Sequence, residues 1–421
     1  MKETVESWIK QLKILCKIAE LQPQAAYSAY INGFKNKYTY FMRTIPNMSN
    51  YMQPIEDLLK TSFIPAISGG HLCSENERDL LELPVKFGGL AINNPVKIAS
   101  LEYENSRKIT EDLKEKIVQQ ISEYDIDTKK IQEIKHSIKN LKRKSHESNV
   151  ENLKQNLDDK GKRSIELSME SGASTWLNVL PIKEYHYNLN KQQFWDVIAM
   201  RYNWPIPGLP ARCVCSEKVD VQHALSCKKG GFITLRHNEI RDITSDLLNV
   251  VCKDVESEPH LIKLNGEENT LNKSAKTNDE VRLDVSARGF WIDNQKAFFD
   301  IRVFDPYAKR YMKQSLKQCY ITNEKEKKNH YNKRILEIDQ GSFTPLVFNA
   351  LGGMGNESKT FVSRLCLKLA TKRNVEKSVV INWVRTKLSF ALLRSLITCI
   401  RGSRTNKVIK HDTQNIELES T

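Results

Sequence analysis

The chain has 421 residues, 40% hydrophobic and 28% charged, a composition for a soluble folded protein of two or three domains. Its 65 lysines and arginines against 51 aspartates and glutamates give a net charge of +14, which favours a polyanionic partner, nucleic acid or an acidic membrane face. Nine cysteines, three of them closely grouped, exclude a disulfide framework and point to a reducing compartment and a metal site.

Glu3, Glu6 and Lys10 break any secretory-type apolar run at the start. Residues 4–45 read as helices, with Trp8, Leu12, Leu15 and Ala19 on one face and Pro23 as an interruption. A stretch of tyrosines and phenylalanines among lysines follows, then an apolar helix from Tyr51 to Phe63 that is expected to stop before Pro65. In L-P-V-K-F-G-G-L-A-I, Gly88 and Gly89 predict a turn after a short strand-like piece. Residues 1–102 thus form a helical domain. Residues 103–171 are rich in Lys, Glu, Asp, Gln and Ser, and Ile117, Ile121, Ile131, Ile134, Ile138 and Leu141 keep a rough helical spacing. Long solvated helices acting as a linker or arm are expected there.

Composition changes at Gly172, and residues 172–231 form a new apolar and aromatic segment. Phe194, Val197 and Ile198 mark a helix in it that ends at Trp204-Pro205. It leads into Cys213, Cys215, His223 and Cys227, a C-x-C-x7-H-x3-C pattern. Three thiolates and an imidazole make a closed tetrahedral set for structural zinc, and one helical turn would present His223 and Cys227 to the same ion. Lys228, Lys229, Arg236 and Arg241 around the cluster would contact nucleic-acid phosphates.

Residues 232–404 form the next unit. R-H-N-E-I-R-D-I-T-S-D-L-L-N-V-V reads as an amphipathic helix with Ile240, Ile243, Leu247 and Val251 buried. Its acids Glu239 and Asp242 are candidates to join a metal site, Glu239 first, and His237 is a candidate phosphate or metal group. A strand is predicted from Asp254 to Leu261. A hairpin follows, with Arg282–Arg288 as one strand, a turn at Asp293-Asn294, and a second strand in which Ala297, Phe299, Ile301 and Val303 alternate with Phe298, Asp300, Arg302 and Phe304. Asp284 and Asp300 on neighbouring strands repel unless a cation lies between them, and a hard ion such as Mg²⁺ suits such oxygens. An Asp–Arg ion pair in a buried hairpin is the competing reading.

Beyond Pro306, Tyr307, Tyr311, Tyr320 and Tyr331 stand among basic residues, and Lys309, Arg310, Lys313 and Lys317 predict a basic DNA-tracking face. A last core strand is expected from Thr344 to Leu351, with helices over Thr360–Ala370 and Val379–Ile400. Arg385, Lys387 and Arg394 each cost a few kcal/mol in a bilayer, so the last is predicted as a buried helix and no membrane partner is expected. Residues 405–421 read as a polar mobile tail.

The D-(x15)-D-x-R spacing resembles the PD-(D/E)xK nuclease core of restriction enzymes, and more closely the restriction-like endonuclease of site-specific non-LTR retrotransposons. Leu283 stands where that family usually has Pro, and Arg302 where it has Lys. In that family a CCHC knuckle precedes the nuclease, as the cysteine–histidine motif does here. L-P-V-K-F-G-G-L-A-I and I-N-G-F-K-N-K-Y-T-Y-F-M-R-T-I-P resemble the reverse-transcriptase thumb, while the adjacent acids Asp158-Asp159 have no flanking strand, so no polymerase motif is present.

The resemblance implies an α+β multidomain protein: thumb-like helices, helical linker, zinc knuckle, and an αβββαβ nuclease core. It implies a Mg²⁺-dependent endonuclease with Asp284, Asp300, Arg302 and Glu239 as catalytic residues. That enzyme would nick DNA to free a 3′-hydroxyl primer for reverse transcription. It further implies DNA and element RNA as partners, a polymerase domain outside this chain, and nuclear localisation. The alternative is a zinc-stabilised nucleic-acid-binding remnant without catalysis.

Overall fold

The computed structural model describes residues 1–121, 126–262 and 282–404. The expected tail at 405–421 lies outside the described residues. The protein is α+β and mostly helical, with a small mixed four-stranded sheet. It divides into two compact units: residues 1–169 with 177–204, and 170–176 with the chain from Pro205 onward.

In the first unit, α1 (Lys2–Leu21) buries Val5, Trp8, Leu12, Cys16 and Ala19. The apolar stripe follows the 3.6-residue period through Cys16, so Leu15, expected on that face, is only half-buried. Pro23 opens α2 (Pro23–Ala29), where its missing N–H costs nothing. Past α3 (Lys35–Thr44), helix α4 (Ser49–Leu58) contains Pro54 and passes through a π-turn at Leu59–Phe63. Pro65 does not end the helical path as expected, because it falls in the first turn of α5 (Ile64–Ile67).

A capping box, in which Ser74 and Glu77 satisfy each other's backbone N–H groups, starts α6 (Glu75–Glu82). The piece after it is a 3₁₀ turn, Val85–Phe87, and not a strand. Gly88 then takes a φ of +91°, and a Cβ on Gly89 would lie 1.9 Å from the Leu83 carbonyl oxygen. That contact explains the glycine pair. Arg78 of α6, 1% exposed, donates to both oxygens of Glu56 at 2.7 and 2.8 Å, and to the Ile92 carbonyl at 2.8 Å.

The charged stretch forms two long helices, α7 (Pro95–Val118) and α8 (Thr128–Gln155). Val150 is the one fully buried residue of α8, as the polar sequence requires. Helices α9 (Asp159–Met169) and α10 (Lys191–Arg201) complete this unit, and Asn190 caps α10 in a second capping box.

The second unit holds the sheet. Helix α11 (Val221–Ser226) belongs to the cysteine–histidine segment, and α12 (Phe232–Val251) leads into β1 (Lys253–Ser257). Strands β2 (Val285–Arg288) and β3 (Lys296–Phe304) form the predicted hairpin. A short helix, α13 (Lys309–Met312), and the long α14 (Leu316–Glu337) cross over to β4 (Ser342–Asn349). The order is β1-β2-β3-β4, antiparallel up to β3 and parallel between β3 and β4. Pro345 is tolerated because β4 is an edge strand.

Helices α15 (Asn356–Arg373) and α16 (Lys377–Arg401) follow. With α12 they cover one face of the sheet, where Ile240, Leu248, Phe299, Ile301, Phe348, Phe361 and Leu388 share a core. The other face packs on α14, with Phe298, Tyr331, Ile335 and Phe343 in one cluster and Phe304, Tyr311, Tyr320 and Val347 in another. The period of two in β3 therefore has both faces buried, and Asp300 points with Phe298 and Phe304 towards α14. Among the described residues no helix is long and apolar enough to cross a membrane.

Candidate metal centre and paired-acid site

The cysteine–histidine motif closes on itself. A tight turn, with Ser216 at φ +73° and its N–H on the Cys213 carbonyl, brings Cys213 and Cys215 side by side. Asp220 caps α11 by accepting the His223 N–H at 2.7 Å, which sets the helical turn that carries His223 to Cys227. Cys213 Sγ lies 3.8 Å and Cys215 Sγ 3.9 Å from Cys227 Sγ, and Cys215 Sγ lies 3.4 Å from His223 Nε2. A tetrahedral zinc with S and N ligands has edges of roughly 3.8 and 3.5 Å, given its bond lengths. All four ligand atoms lie within 4.8 Å of one another. This Cys₃His cluster could hold a metal such as zinc.

The acids meet by register. Val285 pairs with Phe299, so one step outward Asp284 stands across from Asp300 at the open end of β2. Asp284 Oδ2 accepts the Ile301 backbone N–H and lies 3.1 Å from His237 Nε2 on α12. Asp300, 5% exposed, pairs through Oδ2 with Lys327 Nζ of α14 at 2.8 Å. Among the described residues, Asp284 Oδ1 takes no hydrogen bond from the protein and neither does either oxygen of Asp300, whose Oδ2 meets Lys327 as an ion pair only.

Burial, and then the neighbouring Asp284 charge, push the Asp300 carboxyl up to about 6 against the pull of Lys327 and His237. Burial alone would lower His237. The hydrogen bond and charge of Asp284, with Asn238 and Asp300, outweigh it and raise the imidazole above its ordinary value. The acids and His237 do not converge as a three-group ligand set: among the described residues only the Cys₃His cluster does.

Several expected contributors stand elsewhere. Glu239 is exposed, and its charged neighbours are Asp242, Arg394 and Lys387; His237 is the α12 residue that reaches the acids. Asp242 pairs with Arg241 at 2.8 Å. Arg302 turns to Glu326, Nη1 to Oε2 at 2.7 Å, instead of towards the acids.

Arg236 and Arg241, expected as phosphate contacts, are 3% and 9% exposed. They lie on the packed side of α12, where Arg236 donates to the Val303 carbonyl and Arg241 binds Asp242 and Glu258. Tyr307, Tyr311, Tyr320 and Tyr331 are core residues and not surface stackers, since burying their rings outweighs the polarity of the neighbouring sequence. Lys228, Lys309, Arg310, Lys313 and Lys317 are exposed and Lys229 is half-buried. Lys313 and Lys317 belong to different elements, because Lys313 caps α13 and Lys317 lies in α14.

The sequence reading missed Lys327. Its only local signal was its place in E-K-E-K-K, which does not distinguish one lysine from the next. No protein-family model matches the chain, and no curated protein matches it.

Proposed function

We propose that the second unit is a Mg²⁺-dependent DNA endonuclease of restriction-like type, stabilised by a zinc in the Cys₃His cluster. The observation that carries it is the opposed pair of Asp284, one residue before β2, and Asp300 on β3, each with an oxygen that takes no hydrogen bond among the described residues, beside a lysine. The order helix, three antiparallel strands, helix, parallel strand supports it as the αβββαβ arrangement of that fold. So does the raised Asp300 carboxyl, held up by burial and by the Asp284 charge.

The donor set fits a magnesium ion, which takes one or two carboxylates and keeps several waters. When bound, the ion would supply a more acidic water and stabilise charge on the leaving oxygen. Asp284, held by the Ile301 N–H and His237, and Asp300, held by Lys327, would present Oδ1 to it. Water adds to phosphorus as the bond to the 3′ oxygen breaks, leaving a 5′-phosphate and a 3′-hydroxyl. Lys327 is placed to offset charge on the phosphate. Arg302 stays protonated and cannot act as the base.

Such a nick would prime reverse transcription by a polymerase carried outside this chain, with DNA and element RNA as partners in the nucleus, as in the retrotransposon proteins that the motifs resemble. A second reading, a zinc-stabilised nucleic-acid binder without catalysis, is favoured by the neutralisation of both acids by His237 and Lys327. Supercoiled plasmid with zinc-loaded protein separates the two. Mg²⁺-dependent nicking that Asp284→Asn and Asp300→Asn abolish supports the enzyme. Binding without nicking at any Mg²⁺ concentration leaves the binder.

A further inference from the structure

Beside the acid pair, the carboxylate of Glu326 is held between two guanidinium groups. Arg302 Nη1 meets Oε2 at 2.7 Å, and Arg310 Nη2 meets Oε1 at 2.8 Å. Arg302 is two residues from Asp300 on β3, Glu326 is next to Lys327 on α14, and Arg310 comes from α13. Two parallel ion pairs thus bridge β3 and α14: Asp300–Lys327 and Arg302–Glu326. The first is buried on its acidic side, with the Asp300 side chain 7% exposed; the second is open, with Glu326 44% and Arg310 51% exposed.

A carboxylate with each oxygen on a separate arginine has the charge and oxygen arrangement of a phosphodiester's two non-bridging oxygens. Exposed pairs of this kind hold weakly and exchange readily with a competing anion. Burial alone would raise the Glu326 carboxyl. Its hydrogen bond to Arg302 and the charges of Arg302 and Arg310 lower it instead, so it stays ionised and competes as an anion at neutral pH.

We propose that Arg302 and Arg310 form a seat for a backbone phosphate of duplex DNA, and that Glu326 occupies this seat until DNA displaces it. The seat lies along β3 from Asp300, so a strand anchored there would carry a neighbouring phosphate towards the acids. The identity of the anion rests on the nucleic-acid reading above; the seat itself rests on the ion-pair geometry. Arg302 is then a positioning residue for DNA, and Glu326 makes binding conditional on a ligand that can outcompete it.

The experiment measures the affinity of zinc-loaded protein for a fluorescent 30-base-pair duplex in magnesium-free buffer, where cleavage does not enter. Glu326→Gln is expected to tighten binding about fivefold. Glu337→Gln removes the same charge from an exposed site on the same helix and is expected to change it at most about twofold. Adding Arg302→Ala or Arg310→Ala to Glu326→Gln should erase the gain. A gain equal in the two glutamine variants, no gain, or one that survives loss of either arginine overturns the seat. If the gain depends on the arginines while the plasmid assay shows no nicking, the seat stands and the enzyme reading falls.

Discussion

Lys327 Nζ lies 2.8 Å from Asp300 Oδ2, so a cation beside the buried acid comes from a helical residue 27 positions downstream and not from the strand. Arg302, two residues from Asp300, is already bound to Glu326. On the proposed nuclease reading, the lysine that the strand motif lacks would come from α14.

Replacing Lys327 by Ala should lower the Mg²⁺-dependent nicking rate by about 10²-fold or more, the usual cost of a lost charge stabiliser. Duplex affinity in magnesium-free buffer should change by less than about threefold. Equal losses in nicking and binding would make Lys327 a general phosphate contact and not part of the reacting site.

The acid pair makes stability fall as pH rises. Asp300 is raised from 3.8 to about 6, so the folded chain holds a proton between those values that the unfolded chain has released. Stability is then full below about 4 and lost as pH climbs through about 6, by about 2 to 3 kcal/mol at roughly 1.4 kcal/mol per unit. His237, also raised, adds a loss of the same sign as pH climbs through its folded value above 6.5. Thermal melts without magnesium should show this slope, and Asp300→Asn should remove the part below pH 6. Mg²⁺ should stabilise most above pH 6, where Asp300 is ionised. A flat profile would mean that neither burial nor the Asp284 charge raises the Asp300 carboxyl.

Zinc should bind at one ion per chain, and cobalt in its place should give the absorption of a tetrahedral thiolate site. Cys227→Ser and His223→Ala should lose it, while Cys252→Ser, outside the cluster, should keep it. Because a structural zinc contributes on the order of 10 kcal/mol to local folding, proteolysis within 205–231 should rise about tenfold or more in Cys227→Ser. Unchanged cutting would make the ion dispensable for the fold of that segment.

In the first unit, Glu56→Ala leaves the Arg78 guanidinium buried without its carboxylate. It should cost about 3 to 5 kcal/mol in urea unfolding, with hydrogen exchange in α4 and α6 accelerated first. A loss under about 1 kcal/mol would show that the Ile92 carbonyl and entering water suffice for the arginine.

Local spacing alone determined the Cys₃His set, the β2–β3 hairpin, the Asp284–Asp300 opposition and the long polar helices, because side-chain period and turn residues act over a few positions. Tertiary structure alone decided which side of α12 faces the core, so that Arg236 and Arg241 are buried and His237 reaches Asp284. It also decided that Arg302 belongs to Glu326 and Lys327 to Asp300. Ion pairs select partners by distance in space, and the sequence held many equivalent lysines, arginines and acids from which only packing could choose.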